Sequence, residues 1–259
     1  AAMNAPRFAT RWLTRAVAGV AAALAGLPVL AQTSVTPANE WQFEFIPYLW
    51  LAGIRSDLKL GPLPGSTVSV SSSSVLGALD FGAMGTLEAR KGAWGALLDV
   101  QYVKLGVGNQ LAGGLLGGYN VKFEQTIATL AGFYRVVEAP VVVDVLGGVR
   151  YVDAKTRVDI APSLRGLGGQ IEDSAGAADG IVGVRTIVPI GDKWSLLGYL
   201  DVGEGGSTSS WQAIAGASYQ YSPTTSLKFG YRYLSYKRDD GLLAKAAMGG
   251  LYFGAGFRF

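Results

Sequence analysis

The chain has 259 residues, with 22 basic and 19 acidic side chains and neither cysteine nor histidine. Without cysteine there are no disulfides. Without histidine there is no Ser-His-Asp type of catalytic site, and the usual ligands of transition metals are missing. Residues 1–31 contain three arginines and no acid, so the remainder balances 19 basic against 19 acidic residues. No basic patch is therefore left to indicate nucleic-acid binding.

Residues 1–31 have the pattern of a secretory signal peptide. Arg7, Arg11 and Arg15 form a basic segment, an apolar run follows at 16–27, and small residues precede the expected cleavage after Ala31. The run is shorter than the roughly 20 residues of a spanning helix. We therefore expect one mature domain, residues 32–259.

Segments with a period of two recur along this domain. In the first, 41–51, Pro47 lacks an N–H group and predicts a bulge or kink. Residues 53–80 are predicted to form a long excursion with a β-like run at 67–70 and a helical turn near 75–79. Further strands are predicted around residues 81–90, 94–102, 121–133, 141–151, 179–188, 194–202, 211–221, 227–233 and 248–259.

Tryptophan and tyrosine stand at the ends of the apolar faces, as in the aromatic girdles of membrane barrels. Short connections at 91–92, 137–140, 191–192 and 222–225 alternate with longer ones at 53–80, 106–118, 159–174 and 239–246. We therefore predict an all-β, closed antiparallel transmembrane β-barrel of about ten strands, with eight or twelve as alternatives. It would lie in a Gram-negative outer membrane with both termini in the periplasm.

In each predicted strand the charges keep to one face, which we predict to line the lumen. In the fourth strand this assigns Ile127 and Phe133 to the lipid-facing side. Balanced charges in a narrow interior need partners, which favours a salt-bridged, packed lumen over the alternative, a narrow water-filled pore. The predicted lumen residues are Glu44, Glu88, Arg90, Asp99, Lys122, Glu124, Asp144, Arg150, Asp179, Arg185, Asp201, Lys228, Arg232 and Arg258.

Several segments resemble a family of poorly characterised proteobacterial outer-membrane β-barrel proteins. They are PYLWLAG at 47–53, LDFGAMGTLEAR at 79–90, WQAIAG at 211–216, FGYRYL at 229–234 and GAGFRF at 254–259. The last also resembles the end of small OmpA-type barrels. That likeness implies that Phe257 and Phe259 are read by the outer-membrane assembly machinery. The resemblance brings no catalytic or ligand residues with it.

The expected role is therefore structural or surface-interacting, with outer-membrane lipid and the assembly machinery as partners. A passive pore, or a carrier of a small apolar ligand at the barrel mouth, are the alternatives. The enzymes known in this membrane resemble one another in using histidine as a base, so we expect no enzymatic activity. We expect no cofactor and no metal either, because no metal-binding or phosphate-binding motif occurs.

Overall fold

The computed structural model describes residues 40–58, 66–110, 118–160, 169–206, 208–238 and 243–259. The predicted signal peptide lies outside these residues. The described part contains eleven strands and one short helix. They are β1 (Gln42–Leu58), β2 (Ser66–Val70), α1 (Ser72–Gly77), β3 (Leu79–Lys91), β4 (Trp94–Gln110), β5 (Gly118–Val137), β6 (Val142–Ile160), β7 (Gly169–Ile190), β8 (Trp194–Glu204), β9 (Thr208–Gln220), β10 (Thr225–Arg238) and β11 (Leu243–Arg258).

Ten of these strands close into an antiparallel barrel, which confirms the predicted fold class. Each of β3 to β11 pairs with its neighbour in the chain, and β1 pairs with both β3 and β11. At the closing seam Glu44 lies opposite Arg258, and the backbones of Phe43 and Phe259 exchange two hydrogen bonds of 3.1 Å. β2 is an eleventh strand that pairs only with the far end of β1.

The two ends of the barrel differ in their connections. The hairpin turns and the chain's last residue lie at one end, which we call the turn end. Two of its turns contain Gly92 and Gly191 with φ of 60° and 65°, where glycine is favoured. The opposite end carries the longer connections and is called the loop end.

The outer surface carries an apolar band bordered by aromatic pairs. Trp94 packs on Tyr134 near the turn end, with ring centroids 4.6 Å apart, and Trp211 packs on Tyr233 near the loop end at 4.8 Å. Between these levels the outward side chains are exposed and apolar, for example Leu130. Such a band with aromatic borders is the lipid-facing surface of a transmembrane barrel. The only helix in the described ranges, α1, is too short to cross a bilayer.

Several strands are longer than predicted. β5, β6 and β7 have 20, 19 and 22 residues, whereas roughly 9 to 11 tilted residues cross a membrane. Their pairing continues into both ends of the predicted loops at 106–118 and 159–174. Part of the predicted excursion at 53–80 is also regular, because β1 runs on to Leu58 and β2 and α1 follow. The predicted β-like run and helical turn correspond to these two elements.

The predicted facing of the fourth strand, now β5, is wrong. Ile127 and Phe133 were assigned to lipid but are 2% and 3% exposed inside the barrel. Leu130, on the opposite parity, is 60% exposed. Because side chains alternate along a strand, Lys122 and Glu124 share the outward parity of Leu130. These two residues therefore do not line the lumen, contrary to the prediction.

Candidate functional site

Side chains fill the lumen, which makes it a folded core. One apolar cluster toward the loop end joins Trp50, Ile127 and Leu234, and a second toward the turn end joins Leu97, Phe133 and others. Between and below them lie polar and charged side chains that are almost as buried. Packing of this kind is expected when few strands enclose a narrow interior.

A central network of hydrogen bonds crosses the middle of the lumen. Its buried ion pair is formed by Arg150 of β6 and Asp201 of β8, through two contacts of 2.9 and 2.6 Å, and both side chains are 0% exposed. Arg150 Nε also donates to Thr129 Oγ1 at 3.3 Å. The Gln212 amide donates to Asp201 at 3.2 Å and extends the network toward β10. Both charges therefore have hydrogen-bond partners, as buried charges require.

The same network continues across the lumen to β1 and β4. The guanidinium of Arg232 donates to Gln212 Oε1 at 2.6 and 2.9 Å and to Asp99 Oδ2 at 2.9 Å. The Tyr48 hydroxyl accepts from Arg232 Nη1 at 2.7 Å and donates to Asp99 Oδ1 at 2.7 Å. One connected set of side chains thus links seven strands, from β1 and β4 through β10, β9 and β8 to β6 and β5.

A second ionic group, the Arg185 cluster, lies closer to the turn end. Arg185 of β7 reaches across the lumen to Glu88 of β3, with contacts of 2.5 and 3.1 Å. It also donates to Asp144 at 2.8 and 3.0 Å, and Asp144 accepts from Arg135 at 2.8 Å. The guanidinium carbon of Arg185 lies 4.5 Å from the centre of the Phe133 ring. Two carboxylates and two guanidiniums thus neutralise one another in one layer.

A third group, the rim cluster, lies at the turn end beside the closing seam. The Glu44 carboxylate pairs with Lys228 Nζ at 3.0 Å and lies 3.8 Å from Arg258 Nε. The Glu44–Lys228 pair crosses β11, which lies between β1 and β10. It crosses at Gly256, where a Cβ atom would lie 2.6 Å from Ser226 Oγ and 2.8 Å from Lys228 Cε. The glycine therefore leaves room for the crossing ion pair.

The remaining predicted lumen residues have other surroundings. Arg90 is half-buried near the Arg185 cluster and has no direct ion pair within the described chain. Buried Asp179 accepts a hydrogen bond from Thr208 Oγ1. Glu124 pairs with Lys104 of β4 at 3.1 Å on the outer side of the barrel. Lys122 shares that outer side, beyond the aromatic border.

Sequence analysis missed three important members of these groups. Arg135 follows the predicted end of its strand, and the error in the facing of β5 hid its inward parity. Tyr48 has the same parity as Glu44 in its strand, but nothing in the sequence shows which charges Tyr48 and Gln212 contact. Among side-chain atoms of the described ranges, buried Trp50 Nε1 and Ser210 Oγ lack a hydrogen-bond partner.

These groups form ion pairs that close the lumen. In the part of the chain that the structure describes, no group of three or more carboxylates is arranged to hold a metal ion. Every acid of the central network and the Arg185 cluster is held by a guanidinium. An arrangement of this kind joins opposite walls of the barrel and fills the space between them.

Comparison with known proteins relates the chain to solved outer-membrane barrels. No protein-family model matches the sequence, and no curated protein matches it significantly. The outer membrane protease OmpT from Escherichia coli superposes with a TM-score of 0.50 at 8% identity, covering 88% of this chain and 100% of that one. The translocator domain of autotransporter NalP from Neisseria meningitidis gives 0.39 at 14%, covering 96% and 95%. Ail of Yersinia pestis gives 0.34 at 15%, covering 85% and 98%.

At these identities the similarity concerns the fold and not the activity. OmpT is an outer-membrane protein, and its fold matches this chain over 88% of the chain's length. Together with the closed sheet, the apolar band and the aromatic borders, this shows that the chain is a transmembrane β-barrel of the outer-membrane type.

Proposed function

We propose that the protein is a non-conducting outer-membrane barrel that has a structural role and interacts through its loop end. The burial of the central network carries this proposal. Arg150 and Asp201 are each 1% exposed, and Gln212 and Arg232 are each 3% exposed, although all four point into the lumen. A channel needs a continuous water path, and water in the lumen would expose these side chains.

The energetics of the network favour the same conclusion. A ring of charges tunes ion passage when it faces water, but here each charge is already neutralised by a partner. Separating such a pair in a dry interior leaves a buried unpaired charge, which is strongly unfavourable. Thermal fluctuations of the side chains are therefore not expected to open a path for ions.

Planar-bilayer recording tests this proposal. We expect the wild-type protein to stay silent, whereas Arg150→Ala/Asp201→Ala/Arg232→Ala, which removes the bulk of the network, shows discrete openings. The openings of the triple variant prove that the barrel inserts under the assay conditions. Val149→Ala/Val182→Ala, on the lipid-facing wall, is the matched control and is expected to stay silent. Steady wild-type openings would overturn the proposal in favour of the passive pore.

The loop end supports the interacting role. β6 and β7 continue past the aromatic border as a hairpin whose side chains carry charges of both signs. Arg157 and Glu172 pair there at 2.7 Å while remaining about half exposed. The hydrogen bond and the positive charge of Arg157 hold the pKa of the Glu172 carboxyl below its ordinary value. A charged hairpin of this kind presents a surface to which a partner of complementary charge can bind.

Orientation in the membrane has its own test. We propose that the loop end faces the outside and the turn end the periplasm. Because the chain lacks cysteine, Glu172→Cys and Thr224→Cys each introduce one thiol at an exposed position at opposite ends. A membrane-impermeant maleimide added to intact cells should label the first and not the second. The reverse pattern would overturn the proposed orientation.

A cavity near the loop end favours a second candidate function, the holding of a small apolar ligand. Its volume is about 80 Å³, and its lining is almost entirely apolar. Trp50, Met84 and Ile127 contribute to the wall, and the amides of Gln101 and Gln125 are among its few polar groups. We refer to it as the seam cavity, because it lies beside the part of β1 that does not pair with β3.

A further inference from the structure

The barrel wall is interrupted between β1 and β3. These strands pair only from Gln42 opposite Arg90 to Pro47 opposite Gly85. β1 continues to pair with β11 throughout, but in the described chain Tyr48–Gly53 have no strand partner on the side of β3. Pro47 is the last residue of β1 in this pairing. We call this interruption the β1–β3 seam.

Helix α1 covers the seam. Beyond it β1 pairs with β2 from Ile54, and the chain then turns into α1 before entering β3. A Cβ atom on Gly53 would lie 3.3 Å from Ser72 N, so the helix start packs closely on β1. α1 has six residues, none of them buried, and its cap is the Ser71 hydroxyl, which accepts from Ser74 N at 3.2 Å. So short a helix has little stability of its own.

The seam cavity lies directly behind α1 and is continuous with both faces of the wall. Val75 and Leu76 of α1 line it, together with Met84, Val103 and Ile127, which have the lumen-facing parity of their strands. Leu49 and Leu51 also line it, although both belong to the outward, lipid-facing parity of β1, where Leu49 is 61% exposed. The cavity therefore borders the surface that contacts lipid.

The floor of the cavity separates it from the charges below. The Trp50 ring lines the cavity and lies 5.1 Å from the guanidinium carbon of Arg232 in the central network. An indole ring thus lies between the cavity and the nearest charge. The volume of about 80 Å³ is smaller than the roughly 150 Å³ of a cavity that admits benzene. A narrow unbranched chain fits this space better than an aromatic ring does.

From this geometry we propose that the seam cavity binds an alkyl chain that enters sideways from the bilayer through the β1–β3 seam, with α1 as the gate. This proposal rests on the second candidate function, the holding of a small apolar ligand. It does not depend on whether the lumen conducts ions. Burial of each methylene of the chain is favourable by about the usual transfer free energy, so a few carbons in the cavity give weak, exchangeable binding. Opening requires only the displacement of α1, because no strand ladder has to be broken at the seam.

Photolabelling of the full chain in phospholipid nanodiscs tests the proposal. One probe is a free fatty acid with a diazirine near its chain end, and the other is a phosphatidylcholine whose acyl chain carries the same group. We expect adducts on the lumen-facing residues Met84, Val103 or Ile127, reduced at least tenfold by excess hexadecanoate. The probe that labels them identifies whether the chain comes from a free acid or from an intact lipid.

Locking the seam tests the sideways route. Leu49→Cys/Ala83→Cys, joined by a short bismaleimide, bridges the unpaired part of the seam from the outside. Phe45→Cys/Leu87→Cys is the matched control, because these residues are directly opposite each other in the paired part. We expect lumen-side labelling to fall at least tenfold in the first cross-linked protein and to be unchanged in the second.

Two results would overturn the proposal in different ways. Equal labelling of the locked and control proteins would show that the alkyl chain binds but enters from the loop end, so only the sideways route fails. Adducts confined to outward residues such as Leu49 would show that lipid stays on the outer wall. In that case the proposed holding of a ligand is itself wrong, whereas the proposal that the barrel does not conduct ions is unaffected.

Discussion

The buried Arg150–Asp201 pair gives the sharpest test of the lumen as a closed core. Asp201→Ala removes two of the three hydrogen bonds of the Arg150 guanidinium and leaves only Thr129 at 3.3 Å. Both side chains are fully buried, so the unpaired charge has no access to water. Loss of one member of such a pair costs about 3–5 kcal/mol. We expect a loss of that size in the free energy of unfolding.

Urea unfolding in lipid vesicles, followed by the heat-dependent gel mobility of folded barrels, measures this loss. Arg150→Met/Asp201→Leu removes both charges and should recover most of the stability, because replacing a buried pair by apolar side chains is often neutral. The double-mutant cycle then gives a large coupling energy. Glu172→Ala is the matched control, because it breaks an Arg–carboxylate pair that is half exposed to solvent. It should cause no measurable change.

One outcome would refute the reasoning. If Asp201→Ala is as mild as Glu172→Ala and the cycle shows no coupling, Arg150 must be hydrated when its partner is removed. A hydrated mid-lumen would contradict the closed core and would favour the passive pore.

Three further predictions concern the wall and its assembly. Leu130→Arg, on the lipid-facing side of β5, should cost about 2–4 kcal/mol in vesicle unfolding, whereas Lys122→Leu outside the aromatic border should have little effect. Gly256→Val inserts a side chain where the Glu44–Lys228 pair crosses β11 and should cost about 1–3 kcal/mol by overpacking, while Gly77→Val, with open space around it, should not. Deleting Phe259 should lower the amount of barrel assembled in cells without changing folding of the purified protein in detergent.

The class of fold was predictable because the alternation of apolar and polar side chains in each membrane strand indicates which face meets lipid. β5 shows where this alternation misleads. Its charges, Lys122 and Glu124, lie beyond the aromatic border, where an outward side chain no longer meets lipid and can be charged. Inside the band the lumen-facing residues include Ile127 and Phe133, because a packed lumen accepts apolar side chains. When both faces are apolar, alternation no longer distinguishes inside from outside.

Which lumen residues pair with one another was less predictable than which residues face the lumen. Arg185 meets Glu88 across the barrel, 97 residues away in the sequence. Parity places both side chains inside but does not give their height along the axis, which depends on the stagger of all the intervening strands. The β1–β3 seam was hidden for a related reason. Pro47 predicted a bulge or kink, yet only the three-dimensional pairing shows that the ladder to β3 ends there.

β1 connects the two functions proposed for the barrel. Tyr48 belongs to the central network through Asp99 and Arg232, and Trp50, two residues further on the same face, is the floor of the seam cavity. β1 is also paired with β11 along nearly its whole length. The strand is therefore held from the lumen and from one side, while on its other side the segment Tyr48–Gly53 has no strand partner among the described residues and is covered by α1. Because these attachments do not involve α1, the helix can move without loosening the network, and a gate in the wall is compatible with a lumen that stays closed to ions.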